Sequence, residues 1–266
     1  MVYEARNRPI TIMSTARVQE ILTLARSAGI VTVDDLTVRF DVTPQTIRKD
    51  LNQLCDEGTL MRTHGGARIA SNLENVAYEA RRILAGDEKR SIGLAVSQMI
   101  PNGSSLFMNI GTTTEACANA FLQHRDLMVI TNNINVASIL RPCDANKVII
   151  ASGEVRSSDG GIVGESAVDF IGQFKVDYAV IGASGLDDEG ALLDFDYREV
   201  KVSQAIIENA RHVILVADVS KHDRIAPVRI GHVSQIDSFV TDRCPNDEYR
   251  SLLKSFDVEC TETLLT

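Results

Sequence analysis

Three patterns in this 266-residue sequence predict an α/β chain in two parts, a small winged helix-turn-helix followed by a larger Rossmann-like domain. An amphipathic helix with a basic outer face runs through Thr43–Leu54, directly after another short helical pattern. A hairpin turned by glycines follows it. From Ser104 onward, apolar strand-like runs alternate with helical patterns. The length allows two domains and a sizeable core. The expected divisions are a disordered tail over 1–13, the winged helix-turn-helix over 14–70, a linker and connecting helix over 71–100, and the second domain over 101–266.

Charge is divided along the same line. The formal net charge is -9, which argues against a protein that coats nucleic acid. Residues 1–70 nevertheless carry nine basic and eight acidic side chains, whereas the remainder carries eighteen basic and twenty-eight acidic. A nearly neutral reader of DNA joined to an acidic domain that repels phosphate fits this asymmetry. No apolar run has the length of a membrane span, and the first residues lack a signal-peptide core. The expectation is a cytoplasmic protein with no membrane partner. The five cysteines are widely spaced, as expected of reduced thiols with no metal site.

Taken in order, Thr15 to Ala28 is amphipathic, with Val18, Ile21, Leu22 and Ala25 on one face, and Gly29 ends it. Val33–Phe40 reads as a second short helix, and Asp41-Val42-Thr43 as a tight turn. Thr43 then suits an N-cap and Pro44 a first helical position. Ile47, Leu51 and Leu54 make one apolar stripe, and Gln45, Thr46, Arg48, Lys49 and Asn52 fall on the opposite face. Those residue types reach base edges and phosphates; taken alone, the helix also reads as an ordinary solvated surface helix. Thr59–Thr63 and Ala67–Ala70 read as strands joined by His64-Gly65-Gly66, a wing that places Arg62 and His64 beside phosphates or the minor groove. His64 reads equally as a turn residue facing water.

Segments 70–75 are small and polar, and 76–100 largely helical with a break near Gly86-Asp87. Strand-like runs follow at 105–110, 127–131, 148–151, 178–182, 213–217 and 238–241. Helical patterns lie between most of them, as in a parallel sheet covered by helices, which binds ligands at the carboxyl ends of its strands. Four such ends carry polar groups. Gly111-Thr112-Thr113-Thr114 offers amides and hydroxyls at a helix start, suited to phosphate or simply to capping. Asn132-Asn133 offers side-chain amides to sugar or phosphate oxygens, or forms a turn. Arg156 lies in a flexible loop rich in glycine and serine, as an anion ligand or in a solvated loop. Lys221 follows Asp218 at a strand end, pointing inward as a cation or outward to water. Asp196, between these, suits either a polyol hydroxyl or a helix start.

The run Thr46-Ile47-Arg48-Lys49-Asp50-Leu51, with Leu54, Gly58, Leu60, Arg62 and His64-Gly65-Gly66-Ala67, resembles the signature of DeoR-type bacterial transcriptional regulators. Members commonly have two arginines where this chain has Arg48-Lys49; a lysine still binds phosphate but lacks the bidentate fork. The second half is similar as well, at Ile100-Pro101-Asn102-Gly103-Ser104, Ile110-Gly111-Thr112-Thr113, Thr131-Asn132-Asn133 and Phe195-Asp196-Tyr197. Asn109 departs from the acidic residue usual before the Gly-Thr-Thr loop. The resemblance implies a ribose-5-phosphate isomerase-like effector domain and a repressor of double-stranded operator DNA. It also implies release by a small phosphorylated effector, glycerol 3-phosphate or a sugar phosphate, and a homo-oligomer, dimer or tetramer. It implies no catalytic residues and no cofactor. The competing expectation is a sugar-phosphate isomerase with a DNA-binding appendage. Ser184-Gly185-Leu186-Asp187-Asp188-Glu189-Gly190 lacks the lysine- and glycine-rich run of such enzymes, and a carboxylate base without its electrophilic partner isomerises poorly. A helix-turn-helix used only for protein contacts is a third reading; exposed Arg48-Lys49 and the wing count against it.

Overall fold

The computed structural model describes residues 17–25, 30–56, 59–63, 65–69, 78, 81, 85–222 and 224–263. The expected tail 1–13, most of the expected linker and His64 lie outside the described residues. The chain divides into two compact units, 1–76 and 77–266.

In the first unit, helix α1 (17–25) buries Val18, Ile21, Leu22 and Ala25, the face its periodicity predicts. Strand β1 (Ile30–Thr32) leads directly into α2 (Val33–Phe40). Thr32 caps α2 by accepting from the Asp35 amide at 3.1 Å, and Asp41 closes it in a left-handed conformation. Helix α3 (Pro44–Asp56) buries Ile47, Leu51 and Leu54 against α1 and α2 residues such as Ile21 and Leu36. Strands β2 (Leu60–Thr63) and β3 (Gly66–Ile69) form the wing hairpin, and β1 pairs with β3 to give an antiparallel β1-β3-β2 sheet. Gly66 is required there because a Cβ would lie 2.1 Å from the Val31 carbonyl oxygen.

The second unit begins, among the described elements, with α4 (Gly86–Met99), β4 (Ser105–Met108), α5 (Thr112–Ala120), β5 (Met128–Thr131), α6 (Ile134–Leu140) and β6 (Lys147–Ile150). It continues with β7 (Glu154–Val155), β8 (Ile162–Val163), α7 (Glu165–Ile171), β9 (Val176–Gly182), β10 (Gly185–Leu186) and β11 (Ala191–Asp194). It closes with α8 (Tyr197–Glu208), β12 (Ala210–Val216), β13 (Val228–His232), β14 (Ser238–Thr241), α9 (Asp247–Ser255) and β15 (Glu259–Glu262). Seven strands make one sheet in the order β15-β14-β12-β9-β4-β5-β6, parallel throughout.

Successive side chains alternate between the two faces. Leu106 and Met108 pack with α4, α5 and α6 residues such as Val96, Cys117 and Leu140. Phe107 joins Ile171, Ile206 and Leu253 on the other face, beneath α7, α8 and α9. Both faces are therefore covered, as a parallel sheet requires. The chain runs outward from β4 through β5 to β6, then returns to place β9 on the other side of β4. The β4–β9 boundary is thus the point where strand order reverses, the usual ligand crevice of such sheets. Two features differ from the sequence expectation. The 153–161 segment, expected to be a flexible loop, contains β7 and the turn that leads to β8, closed by Arg156 N–H to Gly161 O at 2.7 Å and Gly160 N–H to Arg156 O at 3.0 Å. Strand β15 and a small antiparallel β10-β11-β13 sheet were not foreseen.

Candidate functional site

Helix α3 presents Gln45, Arg48, Lys49 and Asn52 to solvent; Thr46 is half-buried. Thr43 caps the helix, its Oγ1 accepting from the Thr46 amide at 3.3 Å and lying 3.0 Å from the Thr46 hydroxyl. That contact draws Thr46 toward the cap. The inner face carries one charge the apolar stripe did not foretell: Asp50 is buried and accepts from Arg17 Nε of α1 at 2.6 Å. Arg62 is exposed on the wing, and its Nη1 donates to the Gly66 carbonyl at 3.3 Å, which keeps the guanidinium beside the turn. The turn itself is held to the start of α2 by Val33 N–H to Gly65 O at 2.8 Å. The first unit thus carries cations and amides on an outer helix face and a cation on a fixed hairpin.

In the second unit, polar groups converge where strand order reverses. Asn109, at the end of β4, accepts from the Gly182 amide at 3.1 Å and donates to Ser203 Oγ at 3.1 Å. A neutral amide thus ties β4, β9 and α8 together where the resemblance implied an acid. Gly111 follows with φ 149°, a conformation that strains any side chain, and α5 starts at Thr112 with its first amides unpaired within the helix. Thr114 differs from the expectation: it is fully buried and its hydroxyl is turned inward, bonded to Asn109 O and Gly111 O.

Three further expected ligands are engaged internally. Asn133 caps α6 through Oδ1 and donates its amide to Glu115 Oε1 at 3.2 Å. Arg156 donates to both oxygens of Asp159 at 2.8 and 2.7 Å, to Asp196 at 3.0 Å and to Glu199 at 2.5 Å. Asp196 caps α8 through the Arg198 amide as well as meeting Arg156. Burial opposes the charge on Arg156, but these carboxylates more than offset it and raise its pKa. Asp159 is held low by the same pairing despite its burial. Burial and the neighbouring Asp194 push Glu199 the other way, upward, so the cluster carries less negative charge than its carboxylates suggest.

Asn132 and Lys221 keep free capacity. Asn132 donates to Ile162 O at 3.1 Å, while its buried Oδ1 has no hydrogen-bond partner. Around Lys221 the structure gathers cations the sequence reading missed. Lys89 is buried on α4 and donates to the Arg81 carbonyl at 2.5 Å. Arg224 lies over the Phe195 ring, 5.1 Å from its centroid. Arg81 reaches Asp159 at 3.4 Å through Nη2 and leaves a buried Nε without a hydrogen-bond partner. Burial, together with Arg224, Lys89 and Arg81, pushes the Lys221 ammonium down to about 8 despite nearby Asp218. Burial likewise lowers Lys89 and Arg224. Asp218, 2% exposed, accepts from the Ser220 amide and hydroxyl through Oδ1, and its Oδ2 has no partner. One signal did mark Lys89: it stands on the buried stripe of α4 with Ile92, Gly93 and Val96.

A helical DNA reader joined to a ligand-type α/β unit defines a regulator of transcription. Residues 17–72 match the model of the DeoR-like helix-turn-helix domain, and residues 85–243 that of the DeoR C-terminal sensor domain. The glycerol-3-phosphate regulon repressor of Escherichia coli (strain K12) is 46% identical over 231 residues, covering 87% of this chain and 92% of that protein. The HTH-type transcriptional repressor CsqR of the same strain is 38% identical over 243 residues, covering 91% of this chain and 93% of that protein. A ribose-5-phosphate isomerase structure overlaps more loosely, at TM-score 0.38 and 15% identity over 52% of this chain and 54% of that one. The chain belongs to the DeoR family. It is a DeoR-type transcriptional repressor rather than an enzyme.

Proposed function

We propose that this repressor controls genes of glycerol and glycerol 3-phosphate metabolism and leaves its operator when glycerol 3-phosphate binds the second unit. The observation that carries the reading is the gathering of Arg81, Lys89, Lys221 and Arg224 around buried Asp218. Cations that depress one another's charge suit a bound dianion. The α5 amides at Thr112 and Thr113, after Gly111, supply further donors. The unpartnered oxygens of Asp218 and Asn132 suit the hydroxyls of a small polyol. Thr114, Asn133, Arg156 and Asp196 hold the frame of this site. Sequence similarity to the glycerol-3-phosphate regulon repressor supports the choice among phosphorylated polyols.

On the DNA side, Gln45, Arg48, Lys49 and Thr46 serve the major groove behind the Thr43 cap, Arg62 contacts DNA from the wing, and His64 is a further candidate contact. A cytoplasmic homodimer or tetramer sets two such helices on the half-sites of a pseudo-palindrome. The test is binding to DNA upstream of the chain's own operon, at fixed salt, with and without glycerol 3-phosphate. Release by glycerol 3-phosphate is the expected result. Tight binding indifferent to it, but abolished by another sugar phosphate, would replace the effector; no specific operator binding would remove the whole reading.

A further inference from the structure

The chain enters the second unit through Tyr78 and Arg81, just past the division at 76, and both side chains are fastened to the carboxyl edge of the sheet. Tyr78 donates its hydroxyl to Glu115 Oε2 at 2.6 Å. The Asn135 amide reaches the same hydroxyl at 3.1 Å, Glu115 Oε1 at 3.0 Å and the Asp159 carbonyl at 2.9 Å. Asn133 completes the ring on Glu115. Glu115 is buried and sits in the first turn of α5, one residue beyond the Gly111–Thr114 motif. Three residues after Tyr78, Arg81 meets Asp159, which also takes the Arg156 fork, and Lys89 holds the Arg81 carbonyl.

We propose that Tyr78 is the positioning residue through which effector occupancy reaches the DNA-binding unit, its hydroxyl latching the entering segment onto Glu115 beside the effector site. The inference rests on the effector reading above. A ligand shifts an equilibrium only by binding its two states unequally. An anion that takes up the unpartnered Arg81 Nε pulls on the segment that Tyr78 holds, so it binds the latched and released arrangements differently. The connection is covalent from there to the first unit, and the latch touches the frame of the site.

The test is Tyr78→Phe, which removes one hydroxyl and keeps the ring. Operator affinity is measured with and without saturating glycerol 3-phosphate, and effector affinity separately by calorimetry on the full chain. Allosteric coupling commonly spans about 5–150-fold, and the parent is expected within that range. The variant is expected to bind effector within about threefold of the parent while its coupling falls below about threefold. Effector binding with coupling still above about threefold and within about twofold of the parent's would overturn the latch and leave the effector site standing. If the parent binds neither glycerol 3-phosphate nor another sugar phosphate, the effector reading fails instead, and the latch with it. Should Tyr78→Phe not fold, Glu115→Gln takes the charge from the same bond, weakening it, and is judged by the same coupling ratio.

Discussion

The candidate ligand-contacting charged groups of the two units are placed in opposite ways. On α3, Arg48 and Lys49 stand in water on the outer face. In the second unit, Arg156, Lys89 and Asp218 are withdrawn from solvent and bonded to protein groups or crowded by like charges. An exposed cation is ready for a long polyanion of variable sequence and loses little stability when removed. A buried cluster is shaped for one small anion, and each member supports the others.

The difference is open to attack, beginning with the largest effect. Replacing Arg156 by Ala leaves Asp159, Asp196 and Glu199 without their shared counter-charge, and breaking a buried pair costs about 3–5 kcal/mol. Urea unfolding of Arg156→Ala is expected to show that loss; unchanged stability would mean the buried cluster is no more interdependent than the outer face. Arg48→Ala is expected to keep stability within about 0.5 kcal/mol and to lose about 1–3 kcal/mol of operator affinity, as for one base contact. Full affinity would remove Arg48 from the reading face.

Lys221 sharpens the contrast through pH. Its pKa is depressed to about 8, so it is charged at pH 7 and neutral at pH 9. The strain of its buried charge is fully present below about pH 8 and is relieved progressively from there up to the ordinary lysine value of 10.5. Its hold on an anion disappears over the same interval, so effector affinity should fall about tenfold between pH 7 and 9. A flat profile by calorimetry would show that Lys221 is not a ligand. Lys221→Ala should spare operator binding and weaken release by effector. The smallest effect belongs to Lys49→Ala, expected to lower the salt slope of DNA binding by about 1 without changing sequence preference.

The same contrast explains what could be read in advance. The reading helix was legible because Ile47, Leu51 and Leu54 recur at helical spacing, so whatever falls between them is outward. The sheet was legible from its apolar runs. The edge strand Glu259-Cys260-Thr261-Glu262 was not, since its residues are only partly buried and carry two acids. Helix α6 escaped because its seven residues follow Asn132-Asn133 and give periodicity little room. In the proposed effector site, the motif positions were named in advance but their engagements were not. The partners of Arg156 lie 3, 40 and 43 residues away, and only the fold brings them together. Arg224 carries no local mark of its role.

The Arg17–Asp50 pair has a consequence for how operator preference changes. A carboxylate midway along α3, fastened to α1, fixes the rotational setting of the reading helix independently of the letters on its outer face. Gln45, Arg48, Lys49 and Asn52 are therefore exchangeable type on a keyed cylinder. On the proposed reading, operator choice would be rewritten at those four positions without re-aiming the helix, whereas a change at Asp50 would disturb every contact at once.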